Sequence, residues 1–257
     1  MPGIAGVRKI ALYALPTDIL APSWSLVAGS ADPLYPLANL TDKDAANPFK
    51  ATGATATIRA TVASTTVEAV AVIGHNRGNT SWTLSSGAGA MGSLTVPADA
   101  EDGLPLSPWR DLRTQANTTS TTFDIAIPTG TGNAYVGELI WVETLRTMRV
   151  VWGTVHTDIH IAEERRTAYG IRLIEDLGVR LRRYQARVSH PNELAAMLTL
   201  YRACKGIVLP FLLIPDDIVN EAIYVRFLNP LLEQELEDPV HYNTPIEVEE
   251  CSPGVIA

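Results

Sequence analysis

The histidines are the residues whose spacing most directly suggests chemistry. His156 and His160 lie four residues apart in the segment VVWGTVHTDIHIAEE, and on an α-helix this spacing would place two imidazoles on one face for Zn²⁺. The surrounding residues are typical of a strand, in which positions four apart are separated by about 13 Å. This context favours a pair of surface histidines, with a metal site as the alternative.

A glycine-containing turn, GHNRGN at residues 74–79, resembles a phosphate-binding loop only in its glycines. It lacks the GxxxxGK[ST] spacing, and no helix is predicted after it. The simpler interpretation is a turn that ends a strand, in which His75 and Asn76 bond the local backbone. We therefore expect no nucleotide site here.

Motifs for covalent or acid–base catalysis are absent from the sequence. It contains no GxSxG, no Cys–His pair in a recognisable context and no recognisable paired-carboxylate motif. Glu138 lies within the predicted strand YVGELIWV, where a structural partner for an arginine is favoured over a general acid. The sequence therefore predicts a protein that is not an enzyme.

A basic stripe stands out in the last third of the chain. It comprises Arg180, Arg182, Arg183 and Arg187. An acidic segment, EQELEDP at residues 233–239, carries the opposite charge, and complementary patches of this kind favour docking between subunits. Pairing within one chain is an alternative, and so is nucleic-acid binding with Tyr184 stacked on a base. The net charge of −8 argues against nucleic acid, because phosphates require a basic surface.

The composition predicts a folded protein without a membrane span. The chain has 257 residues, 46% of them hydrophobic and 19% charged. No apolar run reaches the roughly 20 residues that a bilayer requires, and the N-terminus does not resemble a signal peptide. Cys204 and Cys251 match no metal spacing. We expect free thiols and synthesis in a reducing cytoplasm, with a single disulfide as the alternative.

Alternation of apolar and polar residues predicts a mainly β fold. The clearest predicted strands are residues 9–15, 23–29, 55–64, 67–76, 81–87, 121–128 and 134–145. The segment at 67–76 is apolar throughout, which is typical of a central strand covered on both faces. Residues 192–205 form the one predicted helix, because Leu194, Leu198 and Tyr201 recur at helical spacing.

The change in character along the chain predicts two domains. Residues 1–160 are expected to form a β-sandwich, with 1–20 as its leading strand. Residues 161–257 are expected to form a β-rich assembly domain that contains the helix. The higher density of charge after residue 160 is the basis for this boundary.

Three segments of the first domain resemble the discoidin-like, or galactose-binding-like, jelly rolls. These are YPLANLTDKDAANPFKATG, VEAVAVIGHNRGNTSWTL and AYVGELIWVETL. In the first, the resemblance implies that Pro36 and Asn39 set a turn, that Leu37 and Leu40 point into the sandwich, and that Phe49 plugs its end. Phe49 stands where this family usually has tryptophan.

The same resemblance implies two ligand sites. Some discoidin-like domains hold Ca²⁺ in this loop, and Asn39, Asp42 and Asp44 could supply its oxygens. The alternative is that these residues only cap the turn. Ca²⁺ is the one cofactor that this interpretation includes.

A glycan site would require an aromatic platform and nearby amides. The candidates are Trp82, Trp109 and Asn76. If these residues bind sugar, the protein is a lectin-like module that contacts a host surface glycan, and this is the alternative function.

The last third, around RVSHPNELAAMLTLYRACKGIVLPFLLIPDD and YVRFLNP, resembles the tail-tip or baseplate proteins of tailed bacteriophages. Together with the jelly roll, it implies a minor tail protein that is a structural component of the virion. The expected partners are further copies of the chain and other phage tail proteins, with host attachment as the setting.

Overall fold

A computed structural model describes most of the chain. The described residues are 8–42, 47–96, 107–114, 119–166, 172–188, 191–215, 221–228, 235–238 and 241–251. Asp44, one of the residues predicted to bind Ca²⁺, lies outside them.

The described part of the chain is mainly β, as the sequence predicts, with an α-helix at Pro191–Ala203 (α1). The helix was predicted at 192–205, so it is confirmed to within two residues. A short 3-10 helix spans Leu37–Thr41. The strands are β1 (Arg8–Ala14), β2 (Ser23–Ala28), β3 (Phe49–Lys50), β4 (Ala56–Thr66), β5 (Ala69–His75), β6 (Ser81–Ser86), β7 (Gly89–Thr95), β8 (Trp109–Asp111), β9 (Thr119–Ile127), β10 (Tyr135–Val142), β11 (Arg146–Arg166), β12 (Arg172–Val188), β13 (Phe211–Ile214), β14 (Ile223–Phe227), β15 (Glu235–Asp238) and β16 (His241–Glu250).

Two antiparallel sheets form a sandwich. The five-stranded sheet has the order β2-β4-β9-β6-β7, and the four-stranded sheet has the order β3-β10-β5-β8. Their facing side chains make one core, in which Trp82, Phe123 and Trp141 are buried. Phe49 is fully buried in this core, as predicted, and Leu40 lies beside it. The 35–53 loop is therefore anchored by its apolar residues.

The remaining strands form a sheet that closes on itself. Its order is β12-β11-β1-β13-β14-β16, and β16 also pairs with β12, while β15 extends the sheet from β16. The apolar interior of this closed sheet includes Tyr13, Phe211 and Phe227, and it packs against Met197 and Leu200 of α1. The helix thus covers the interior of the sheet.

The four-stranded sheet is covered on both faces. Val70 and Val72 of β5 face the sandwich core, whereas Ala69 and Ala71 face the outer wall of the closed sheet. This is why the β5 segment is apolar without alternation, as the sequence predicts. The contact with the closed sheet is also apolar and includes Tyr224.

The predicted domain boundary needs correction. β11 runs through residue 160, and β1 pairs with β11 and β13 instead of leading the sandwich. The sandwich is built from residues 23–142, and the closed sheet combines 8–14 with residues from 146 onward. Alternation identifies a strand but not its neighbours, and the pairing of β1 depends on residues more than 130 positions away.

Candidate functional site

The loop predicted to bind Ca²⁺ is held together by side-chain amides. Asn39 donates from Nδ2 to Asn47 Oδ1 at 2.9 Å and to the Pro48 carbonyl at 3.2 Å. Asn47 donates in turn to Asp42 Oδ2 at 2.7 Å. Asn39 Nδ2 is therefore committed to hydrogen bonds within the loop, as the turn-capping alternative expects. The described residues also contain no group of three acidic, histidine or cysteine side chains suited to a metal ion.

Trp82 is not available to a sugar in this structure. Its ring is fully buried in the sandwich core and makes an edge-on contact with His75, with ring centroids 5.4 Å apart. The prediction of a platform at Trp82 is therefore wrong, because a stacking platform must be exposed. Leu84, which shares its strand face, is equally buried.

Asn76, the predicted amide of the glycan site, is engaged in the fold. Its Nδ2 donates to the Asn133 carbonyl at 2.8 Å, and its Oδ1 accepts from the Tyr135 amide at 3.2 Å. His75 Nδ1 accepts from the Arg77 amide at 3.1 Å. His75 thus bonds the local backbone, as predicted, whereas Asn76 bonds the backbone of residues 133 and 135, which are distant in the sequence.

Arg77, in the same turn, was missed by the sequence analysis. Its side chain is 1% exposed, and all five of its N–H donors point at backbone carbonyls. Nε donates to Pro128, Nη1 to Asn76 and Thr131, and Nη2 to Ala54 and Gly132, over distances of 2.9–3.2 Å. One guanidinium thus joins three loops at one end of the sandwich.

The surroundings of Arg77 explain its electrostatics. Burial lowers the pKa of Arg77, and the nearby Tyr135 opposes this shift. The side chain is also packed closely, because a Cβ at Gly130 would lie 2.7 Å from Arg77 Cδ. A buried cation held by carbonyl oxygens is suited to fixing loops, and its donors are not free for an anionic ligand.

Trp109 lines a cleft at the meeting point of three sheets. β7 is the edge of the five-stranded sheet, β8 is the edge of the four-stranded sheet, and β1 and β11 belong to the closed sheet. The cleft has a volume of about 460 Å³. Only 7% of Trp109 is exposed, so the ring contributes an edge and not a broad platform.

Two arginines and one aspartate bring charge to this cleft. Arg113 donates from Nε and Nη2 to the Asp111 carboxylate at 2.6–3.1 Å, and its amide also donates to Asp111. Burial alone would raise the pKa of Asp111, but its bonds to Arg113 outweigh this effect and lower the pKa. Arg110 donates from Nη1 to the Ser93 carbonyl. Its Nε is buried and has no hydrogen-bond partner in the described part of the chain.

The predicted basic stripe lies on β12, where only its backbone is described. Arg182 is directly opposite Asp158 of β11, and Arg183 is directly opposite Glu249 of β16. Arg180 lies opposite His160, and Arg187 opposite Val151 and Pro245. His156 and His160 lie in a strand, as predicted. The register thus gives two of the four arginines acidic neighbours in their own chain.

Glu138 is buried at the contact between the sandwich and the closed sheet. It is 2% exposed and helps to line a small cavity of about 140 Å³ that also contains Tyr224. Burial is the main cause that raises the pKa of Tyr224, and the charge of Glu138 adds to it.

Both cysteines are free, as expected. Burial raises the pKa of Cys204 to about 12 and that of Cys251 to about 11, so both thiols are protonated at neutral pH.

The comparisons with known proteins add no family. No family model matches the chain, and no curated protein matches it. Within the described residues, none of the helical segments has the length and apolar character needed to cross a bilayer. The functional argument therefore depends on the sequence resemblance and on the geometry above.

Proposed function

We propose that this protein is a structural component of a phage tail tip or baseplate that acts by assembling with copies of itself and with other tail proteins. In this proposal the sandwich is a discoidin-like jelly roll, and the closed sheet with α1 is the assembly domain. The protein is not an enzyme, and it reaches the virion after synthesis in the host cytoplasm.

The observation that carries this proposal is a two-stranded ribbon formed by β11 and β12. Beyond the pair Thr157–Arg183, the two strands pair only with each other among the described strands, out to Arg166–Arg172. Nine residues of β11 lie in this outer part, so the ribbon is about 30 Å long at 3.3 Å per residue. We call residues 158–166 with 172–182 the outer ribbon.

An isolated two-stranded ribbon is marginally stable in water. Its two edges present backbone donors and acceptors that can pair with another strand. A neighbouring subunit that adds a strand or covers one face would satisfy both needs. These considerations favour the outer ribbon as the joint between subunits.

The charges refine this proposal. Because Arg182 and Arg183 lie opposite acidic residues of the same chain, they support pairing within the chain more than contact between subunits. Arg180 and Arg187 have no acidic residue directly opposite and are the better candidates for a subunit contact. The joint is thus expected to depend on the strands of the ribbon, with charge in a secondary role.

Truncation of the outer ribbon tests the proposal. Residues 159–181 are replaced by Asn-Gly, which can close a two-residue hairpin at the directly opposed pair Asp158–Arg182. Light scattering is expected to show an oligomer for the natural chain and a monomer for the truncated one. A circular dichroism spectrum that stays β-rich serves as the control for folding. A truncated chain with the same oligomeric mass, or a natural chain that is monomeric, would contradict self-assembly through the ribbon.

A charge variant separates the two contributions. Arg182→Glu with Arg183→Glu keeps the ribbon but reverses two charges. If the stripe acts between subunits, this variant dissociates with its β-rich spectrum intact. If the arginines pair within the chain, it loses stability and remains assembled.

The alternative, a lectin-like module that contacts host glycans, keeps only part of its predicted site. Trp82 is buried and Asn76 is bonded to the backbone, so the cleft at Trp109 is the remaining location. The chemistry of that cleft is more specific than a general sugar platform.

A further inference from the structure

We propose that the cleft at Trp109 binds an acidic sugar, a ring that carries both hydroxyls and a carboxylate. This inference goes beyond assembly and does not depend on it, since the cleft lies within one chain. A volume of about 460 Å³ is within the range of small-molecule sites. Two of the strands that form it, β7 and β8, are edge strands, where a sheet leaves backbone polar groups uncovered.

The preference for a carboxylate comes from Arg110. Of its five N–H donors, the described residues supply an acceptor only to Nη1, which bonds the Ser93 carbonyl. No carboxylate of the described residues forms an ion pair with Arg110. The side chain is also fixed in place, because it lies directly over Gly92, where a Cβ would be 2.8 Å from Nη2. A fixed guanidinium with unused donors is suited to a planar carboxylate.

The neighbouring charges leave this preference intact. Asp111 and Arg113 form a bidentate ion pair in which their charges cancel. The lowered pKa of Asp111 keeps both groups ionised at neutral pH. Arg110 then gives the cleft a net charge of +1 among its described side chains, in a chain with a net charge of −8. The cleft is thus a local cationic site on an acidic protein, which favours an anionic ligand.

The remaining walls match a sugar ring better than a bare anion. Ser93, Thr95 and Thr147 line the cleft, and their hydroxyls make no hydrogen bond within the described part of the chain. Ile10, which is 44% exposed, and Leu12 provide an apolar surface. A pyranose presents hydroxyls at its edge and C–H groups on its face, so it can use both kinds of wall. Inorganic phosphate would leave the apolar wall uncovered.

Calorimetric titration of the full chain with D-galacturonate and D-glucuronate tests this proposal. D-galactose, D-glucose and inorganic phosphate are the matched ligands. Saturable binding of at least one uronate is expected, with the neutral sugars about tenfold weaker or more, since one lost charged hydrogen bond corresponds to at least this factor. Arg110→Gln is expected to reduce uronate affinity to that of the neutral sugar.

Two further variants make the result decisive. Arg59→Gln is the control, because Arg59 pairs with Asp124 away from the cleft, and it is expected to leave binding unchanged. Thr95→Val removes an exposed hydroxyl with little risk to folding, and it is expected to weaken uronate binding. This variant therefore tests the site even if Arg110→Gln does not fold. Absence of uronate binding, or binding that Thr95→Val and a folded Arg110→Gln leave unchanged, would overturn the proposal. Phosphate binding as tight as uronate binding would overturn its sugar part. The proposal that the outer ribbon joins subunits is tested separately, by the oligomeric mass, so that the failure of either proposal can be recognised by itself.

Discussion

Replacement of Arg77 should be one of the most damaging single changes in the sandwich. The guanidinium supplies five hydrogen bonds to carbonyls of residues 54, 76, 128, 131 and 132. Arg77→Met keeps much of the side-chain volume but removes every donor. Five carbonyls then lose their partners in a region where the arginine itself is 1% exposed.

The expected cost follows from opposing contributions. A hydrogen bond to a charged group contributes about 1.5–3 kcal/mol, so five would suggest a much larger total. Burial of the guanidinium opposes them, because desolvation of an ion costs several kcal/mol. Water can also reach some of the carbonyls once the loops separate. We therefore expect Arg77→Met to lower the free energy of unfolding by about 3–5 kcal/mol.

Urea denaturation followed by circular dichroism measures this change. Arg77→Lys, which retains the charge but has three donors, is expected to lose roughly half as much. Arg59→Met is the matched control, because the Arg59–Asp124 ion pair is partly exposed and such pairs contribute little to stability. If Arg77→Met and Arg59→Met unfold at the same urea concentration, the carbonyl bonds contribute nothing and the reasoning is wrong.

Three other predictions concern the packing, the turn after α1 and the titration behaviour. Phe49→Ala should lower the free energy of unfolding by about 3–5 kcal/mol in the same urea assay, since the ring is fully buried, and a change below 1 kcal/mol would contradict its role as a plug. Gly206→Ala should cost about 1–2 kcal/mol by thermal unfolding, because Gly206 has a φ of +72° in the turn that follows α1, whereas Gly53→Ala, in open space, should cost little. Burial raises the pKa of Cys204 from about 9 to about 12, so its contribution to stability is complete below about pH 9 and is lost as the pH rises towards 12. The free energy of unfolding of Cys204→Ala should therefore fall less between pH 8 and pH 10.5 than that of the natural chain. Identical slopes of the free energy of unfolding against pH would refute this.

The local features of the fold could be predicted from the sequence. The strand β5 was recognised as covered on both faces because its apolar run has no alternation. The helix α1 was recognised from its spacing and from the lysine and glycine that end it. The resemblance to discoidin-like jelly rolls predicts Phe49 in the core, and it lies there. The properties of β5 and α1 each depend on residues within one segment.

Features that join distant segments could not be predicted in this way. Four of the five carbonyls around Arg77 come from loops more than 20 or more than 50 positions away, and nothing near Arg77 in the sequence indicates them. The cleft combines Ile10, Ser93, Arg110 and Thr147, which meet only when three sheets meet. The burial of Trp82, by contrast, could be predicted from the local sequence, because Trp82 and Leu84 share one apolar face of their strand. The prediction of a glycan platform at Trp82 did not take this pattern into account.

The closed sheet has a consequence for the order in which the chain can fold during synthesis. β1 precedes the other described strands, yet Leu12 pairs with Ile214, which is 202 residues further along the chain. At 5–20 residues per second, the ribosome takes roughly 10–40 s to supply that partner. All the strands of the sandwich are complete by residue 142, so the sandwich can form while β1, with its buried Leu12 and Tyr13, is still without neighbours. β11 supplies the first neighbour of β1 once residues 146–151 are made, and the other edge of β1 stays unpaired until β13 follows at residues 211–214.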